Sequence, residues 1–589
     1  MVRQDPQIAM ISLSHNKSLS IGEVIAVVSG ATVSLDSQTR SLLNERRNQI
    51  VSWISQRNEP AYGFNRGFGH NVDLAVPEDQ LAVLQRNFMR SHASGVGPPA
   101  SRDVVRATML LRAQSLTRGH SAIRPEVVEA LLVFLNHGIT PLVPQYGSVG
   151  ASGDLAPLSH IGLALMGEGE CFIAGSDAPV AVGEILAQRG ISPLTLEMKE
   201  GLALSNGLQF STACGVIAVD KLRTLLKSEA LVTALTAQVM LASDTPFLAE
   251  LHELRPHRGA KVVARWIWNA MQDSPIRNAH RDYIVDAEVQ DPYNIRCAAQ
   301  ILGTCYDLIE EAAHTFAVEI NSATDNPLLL PDVAGQYTSV VSGGHFHGMP
   351  VAVKLYNLVQ AATIISSLIN ARCARYIDAA RNKGLGNDVV WPDLTPAERS
   401  IASGMMIPEY VSAALSNALL GLSQPSHLFS ISTNAGQEDH VSMSAGLAVR
   451  LLEMIPRVAE LIGIESAYAA QAAAIRRHTK MIPSKHHPQA QRDVDKAVDK
   501  LIGIVKKRVN DRRFTPQVDV RLSFEIPDEA TRLSPVSEHV LTYLWRRFPP
   551  VQEDRVFSKQ LRILAMEIEA GVLTKEAEII LPFDEVVTW

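Results

Sequence analysis

The sequence predicts a mainly α fold, a bundle of long helices with a smaller, loop-rich N-terminal part. Three observations lead there. Residues 351–383, VAVKLYNLVQAATIISSLINARCARYIDAARNK, contain neither Gly nor Pro and repeat apolar residues at helical spacing. Residues 293–321 and 441–480 read the same way, with interruptions, and Ala, Ser and Leu occupy several of their faces. A helix apolar on more than one face is buried on more than one face, which predicts a central bundle or helices shared between subunits. Strand signals are few and short, EIILPFDEVV near the end being one.

In chain order, SLSIGEVIAVVSGATVSLDSQTRSLLNERRNQIVSWISQR predicts a short helix, a short strand and a longer helix. AYGFNRGFGH (61–70) is rich in Gly and aromatics and predicts an irregular loop. Asp79 to Ala93 is helical again, and 138–160 returns to loop. Beyond about 480 the chain is more charged, SKHHPQAQRDVDKAVDK, and predicts a peripheral helical layer with a solvated His pair. The expected division is 1–220 for the loop-bearing part, 221–480 for the long helices and 481–589 for a C-terminal extension.

The 589 residues are 46% hydrophobic and 20% charged, a globular balance. The net charge of -7 gives no basic footprint for nucleic acid. No apolar run reaches the expected length of a membrane span, and MVRQDPQIAMISLSHNKS lacks the charged-then-apolar order of a signal peptide. Cys171, Cys214, Cys297, Cys305 and Cys373 are odd in number and scattered, which argues against a disulfide framework or a zinc site. Free thiols in a reducing cytoplasm are the expectation, with no metal.

Ala151-Ser152-Gly153, inside GSVGASGDLAPLSH, carries the sharpest chemistry. Small residues in a tight turn can cyclise on their own backbone: the Gly153 nitrogen attacks the Ala151 carbonyl carbon, and loss of water leaves a ring with a methylidene group from Ser152. The same letters occur at Ala93-Ser94-Gly95 and Ala402-Ser403-Gly404. An ordinary helix start also suits the segment, with Asp154 capping and Pro157 in the first turn. A second unit is Asp291, Pro292, Tyr293 and Arg296. Asp291 suits an N-cap and Pro292 the first helical position. Tyr293 and Arg296, three apart, share a helix face. Arg296 could bind a substrate carboxylate with two parallel hydrogen bonds, or serve a surface ion pair.

Eight motifs occur in order: YGFNRGFG (62–69), RSHASGVGP (90–98), GSVGASGDLAPLSH, GLALSNG (201–207), VQDPYNIRC (289–297), EINSATDNPL (319–328), SGGHFHGMP (342–350) and GQEDHVSM (436–443). Together they resemble the aromatic amino acid ammonia-lyase and aminomutase family, from about residue 18 to about 480. The resemblance implies a nearly all-helical homotetramer whose active sites draw on more than one subunit. It also implies a methylidene-imidazolone (MIO) group formed autocatalytically from Ala151-Ser152-Gly153, the one tripeptide at the cyclising position.

The resemblance assigns roles residue by residue. Tyr62 matches the catalytic base; a phenol, with an unperturbed pKa near roughly 10, needs a lowered value or a poised geometry for that work. Tyr293 matches a tyrosine near the ring, Arg296 the carboxylate binder, and Asn206 and Gln290 polar residues that hold the substrate or the ring oxygen. Phe346 matches an aromatic wall. Ser91-His92 matches the pair that tunes side-chain choice, and here is similar to histidine lyases and some tyrosine aminomutases. Glu438, with Gln437 beside it in the substrate-binding set, stands where histidine lyases carry Glu. Several positions depart from the histidine-lyase pattern: Arg66 for Thr, His70 for Lys, His345 for Asn and Leu208 for Thr, while SNALLGLSQ (416–424) lacks the polar Glu-Asn-Lys usual there.

The resemblance implies elimination of ammonia from an aromatic L-amino acid, L-histidine first, giving urocanate. A 2,3-aminomutase acting on tyrosine or histidine shares the first half-reaction. A helical scaffold without turnover is the reading from another class, kept open by Arg66, His345 and Leu208. A small amino acid is the expected partner, with neither nucleic acid nor membrane.

Overall fold

The computed structural model of the chain describes residues 10–57, 61–67, 73–282, 290–484 and 522–583. The mainly α class holds. Long helices run over Ser37–Arg57, Gln209–Val239, Ala298–Ile320, Met349–Tyr376 and Ser444–Thr479. Strands form only two- and three-stranded sheets among the described residues. The helix–strand–helix order read near the N-terminus appears as Ile21–Val28, Val33–Leu35 and Ser37–Arg57. Ser20 starts the first of these with a reciprocal capping box to Glu23.

Two expectations are corrected. EIILPFDEVV is no strand over its described part: a helix spans Val572–Glu578, and residues 579–583 lie outside any strand. Leu573 and Ala577, four apart and buried, give that segment a helical face. Apolar stretches also reach greater length than the sequence suggested. Glu200–Val239 and Met349–Tyr376 are long and apolar enough to cross a membrane by length and composition. The apolar window of the first is wholly buried in the protein, as in a core helix.

The chain divides into two compact units. The first comprises Met1–Asp220, Leu308–Val359 and Ser423–Glu453. Deep inside it the Lys199 ammonium meets Asp325 Oδ2 at 2.7 Å, both side chains being 0% exposed. Burial pushes the Lys199 ammonium below its ordinary range. Ser121 donates to the other Asp325 oxygen at 2.8 Å.

The second unit comprises Lys221–Asp307, Gln360–Leu422 and Met454–Trp589. Its core joins long helices through Tyr376 and Tyr468, whose rings stack at 5.3 Å. Met481–Ser484 and Leu522–Glu525 pair antiparallel. The His pair at 486–487 lies outside the described residues. All five cysteines are free thiols.

Candidate active site

A cavity of about 610 Å3 in the first unit gathers most of the residues singled out from the sequence. Tyr62, His92, Ala151, Ser152, Asn206, Phe346, Gln437 and Glu438 all line it. Its size and mix of aromatic and polar walls suit a small-molecule site.

The turn holding Ala151-Ser152-Gly153 precedes the helix Leu155–Leu165. Gly153 adopts φ +82°, and a Cβ there would lie 2.3 Å from the Gly207 nitrogen. Only glycine fits so close an approach of two backbones. The facing backbone is held by Asp154 N–H donating to the Gly207 carbonyl at 2.6 Å. Asn206, which closes the short helix Glu200–Ser205, donates from Nδ2 to the Ser152 carbonyl at 2.6 Å. Arg112, fully buried, in turn donates from Nη1 to the Asn206 carbonyl at 3.2 Å and to Gln209 at 2.9 Å.

Asp154 occupies the N-cap position of Leu155–Leu165 but makes no capping bond. Its carboxylate accepts instead from Ser148 Oγ at 2.7 Å and from Ser211 N–H and Oγ at 2.8 and 2.9 Å. Burial raises its pKa despite these donors. The local capping expectation is therefore wrong, because a network across the unit claims both oxygens.

Opposite the turn, Ser152 Oγ donates to Glu438 Oε1 at 2.5 Å. Thr433 Oγ1 donates to the other Glu438 oxygen at 2.5 Å. The loop carrying Glu438 is bent sharply: Asn434, Ala435 and Met443 all have φ between 48° and 56°. Non-glycine residues in that left-handed region store strain, and such strain concentrates at functional sites.

His92 ends the helix Leu81–His92. Its Nδ1 lies 2.9 Å from the Phe88 carbonyl and its ring 3.9 Å from the Phe88 ring. A carbonyl only accepts, so that bond places the proton on Nδ1 and leaves Nε2 of the neutral ring as an acceptor. Burial lowers the His92 pKa and favours this neutral form. Tyr62 sits in a tight turn beside Gly63, where a Cβ would lie 2.9 Å from Leu202 and 3.0 Å from the Lys199 stem. The buried Lys199–Asp325 pair thus underlies the tyrosine turn.

Gln290, Tyr293 and Arg296 belong to the second unit and are not among the cavity's lining residues. Arg296 Nη1 donates to Gln290 Oε1 at 2.5 Å. Tyr293 is 68% exposed. Pro292 is the N-cap of Tyr293–Arg296, and Asp291 does not cap it. The Asp291 carboxylate accepts from Ser243 N–H at 2.7 Å and pairs with Lys383 at 3.3 Å.

Three departures from the family pattern, Arg66, Leu208 and His345, are not among the cavity's lining residues. Arg66 donates to the Asp73 carbonyl at 3.0 Å, closing its own loop. Leu208 is buried and His345 exposed, and neither lines the cavity. His70 lies outside the described residues. Sequence reasoning passed over Asn326, His347, Asp439 and His440, which also line the cavity. All four lie in motifs already quoted, so motif membership was the available signal.

A family model described as aromatic amino acid lyase matches residues 19–499. The chain belongs to the aromatic amino acid lyase family. Among members of this family, the histidine ammonia-lyase of Burkholderia mallei (strain NCTC 10229) is 41% identical over 477 residues, which cover 80% of this chain and 91% of that protein. The crystal structure of histidine ammonia-lyase from Trypanosoma cruzi is similar with a TM-score of 0.79 at 28% identity, covering 98% of this chain and 96% of that one. Tyrosine aminomutase from Streptomyces globisporus gives a TM-score of 0.81 at 27% identity, covering 98% and 100%. The aromatic amino acid lyase fold thus extends over nearly the whole chain, beyond the region that the family model matches.

Proposed function

We propose that this chain is an ammonia-lyase converting L-histidine to urocanate and ammonia, with an MIO group formed from Ala151-Ser152-Gly153. The observation that carries the reading is the meeting of Ser152, His92 and Glu438 in one cavity, in a chain 41% identical to a histidine ammonia-lyase.

The residues fit the prosthetic group. The Gly153 site has no room for a Cβ. Asn206 Nδ2 donates to the Ser152 carbonyl oxygen, which the ring would retain. Once formed, the ring supplies an electrophilic carbon for an amine lone pair, which no standard side chain offers.

The chain's own residues do the remaining work. Tyr62 takes the proton from the substrate β-carbon. Arg296 grips the carboxylate, with Gln290 orienting its guanidinium. His92 Nε2 accepts from the substrate imidazole N–H, and Glu438 binds the same ring or moves its proton. Phe346 and Tyr293 supply aromatic walls, and Gln437 a further polar contact. Exposed Tyr293 and its turn serve a neighbouring subunit's cavity in a cytoplasmic homotetramer.

A 2,3-aminomutase is the second reading, favoured by the similarity to tyrosine aminomutase. Incubation with histidine, tyrosine and phenylalanine separates the two. Ultraviolet absorbance of a conjugated acid without β-amino acid supports the lyase, and accumulation of β-amino acid supports the mutase. No product from a wider aromatic panel would leave the scaffold reading standing.

A further inference from the structure

The most deeply buried charges of the second unit belong to none of the groups used so far. Arg372, Glu229 and Glu465 are 1%, 0% and 0% exposed. Arg372 Nη1 donates to Glu229 Oε1 at 2.6 Å, to Glu465 Oε1 at 3.3 Å and to Thr233 Oγ1 at 2.8 Å. Thr236 Oγ1 donates to the same Glu465 oxygen at 2.8 Å and accepts from the Tyr376 hydroxyl at 3.0 Å. Two carboxyls facing one guanidinium cannot both ionise in so dry a site. Burial, with Glu465 beside it, raises Glu229 well above the usual carboxylate range, and burial raises Glu465 as well.

The other edge of the guanidinium does something different. Arg372 Nε donates to the Asn294 carbonyl at 2.7 Å, and Asn294 Nδ2 returns a bond to the Ala371 carbonyl at 3.1 Å. Asn294 sits between Tyr293 and Arg296. The helix Tyr293–Arg296 is four residues long with no side-chain cap, far too short to hold its own shape. Its upstream end is held separately. Lys383 Nζ donates to Asp291 Oδ1 at 3.3 Å and to the Leu241 carbonyl at 2.8 Å, and Ser243 N–H donates to Asp291 Oδ2 at 2.7 Å.

We propose that Arg372 and Lys383 are positioning residues, which fix the backbone of residues 291–296 so that Tyr293 and Arg296 project from a rigid base. Apolar side chains would fill the same core volume, and replacing a buried ion cluster by them is often neutral for stability. They could not bond the Asn294 carbonyl. Lysine at 372 would carry the charge on one nitrogen, which cannot face the carboxyls and the carbonyl together. The inference rests on the proposed role of Arg296 as carboxylate binder.

The test compares Arg372→Lys, Lys383→Met and Arg296→Lys in the full-length protein. Four readouts are taken: intact mass, melting temperature, KM and kcat with histidine, and inhibition by imidazole propionate, a carboxylate without an amine. Arg372→Lys is expected to fold and to lose two waters like the parent. Its KM and inhibition constant should rise together by about tenfold or more, with a smaller fall in kcat. Folded Arg372→Lys with unchanged KM and inhibition overturns the proposal, provided that Arg296→Lys raises both. If Arg296→Lys changes neither, the reading of the turn itself has failed. Should Arg372→Lys not fold, Lys383→Met decides: the same paired rise supports the proposal, and parental values overturn it.

Discussion

The Ser152 hydroxyl and a Glu438 carboxylate oxygen lie 2.5 Å apart although 286 residues separate them in the chain. The contact brings the residue expected to cyclise against the residue expected to read the substrate. Ser152→Ala removes the hydroxyl that must leave as water. Its purified mass should match the unmodified sequence, less only what the substitution removes, whereas the parent should be lighter by two waters. Turnover should vanish while circular dichroism keeps its helical signal. An unmodified parent mass would sink the proposed chemistry outright.

Gly153→Ala tests the turn by shape alone. With φ at +82° and a Cβ 2.3 Å from Gly207 N, the added methyl has no place. The cost is about 1–3 kcal/mol of strain or more. A lowered melting temperature and loss of the mass deficit are the expected results.

His92 gives a pH prediction. Burial lowers its pKa below the ordinary histidine value, so the acid limb of kcat/KM that it sets should fall below about 6.5. The unfolded chain takes up this proton at higher pH than the fold does. The stability contribution is therefore present above the unfolded value and lost as pH falls through the lower folded value. His92→Gln cannot titrate. It should lower kcat/KM by about tenfold or more and remove that limb from the profile.

Lys199→Met leaves Asp325 buried without its cation. Breaking such a pair typically costs about 3–5 kcal/mol, and the thermal midpoint should drop accordingly. Adding Asp325→Leu should recover part of the loss. A double variant no more stable than Lys199→Met would contradict the pairing.

Helix class and the cavity residues were legible because they travel in short motifs and in local periodicity. Tyr62, His92 and Phe346 each sit in a motif, and all three line one cavity. Asp154 and Asp291 were misread as helix caps for one reason. Their hydrogen-bond partners Ser211 and Ser243 lie 57 and 48 residues away, and local capping preference knows nothing of such partners. Lys199 and Asp325 are 126 residues apart and gave no sign of pairing. The network holding Tyr293 and Arg296 was equally silent, because Arg372 lies in a helix that reads as simply apolar.

The cavity draws its walls from residue 62 through residue 440. A chain emerging from the ribosome at about 5–20 residues per second reaches that last wall only after some tens of seconds. Until then Ser152 has no Glu438 to meet, although Gly207, which cradles Gly153, is already made. Nascent or truncated chains ending before residue 433 should therefore carry the parent serine unaltered. A mass deficit would then record, once per molecule, that synthesis has passed residue 440 and that the cavity has assembled around Ser152.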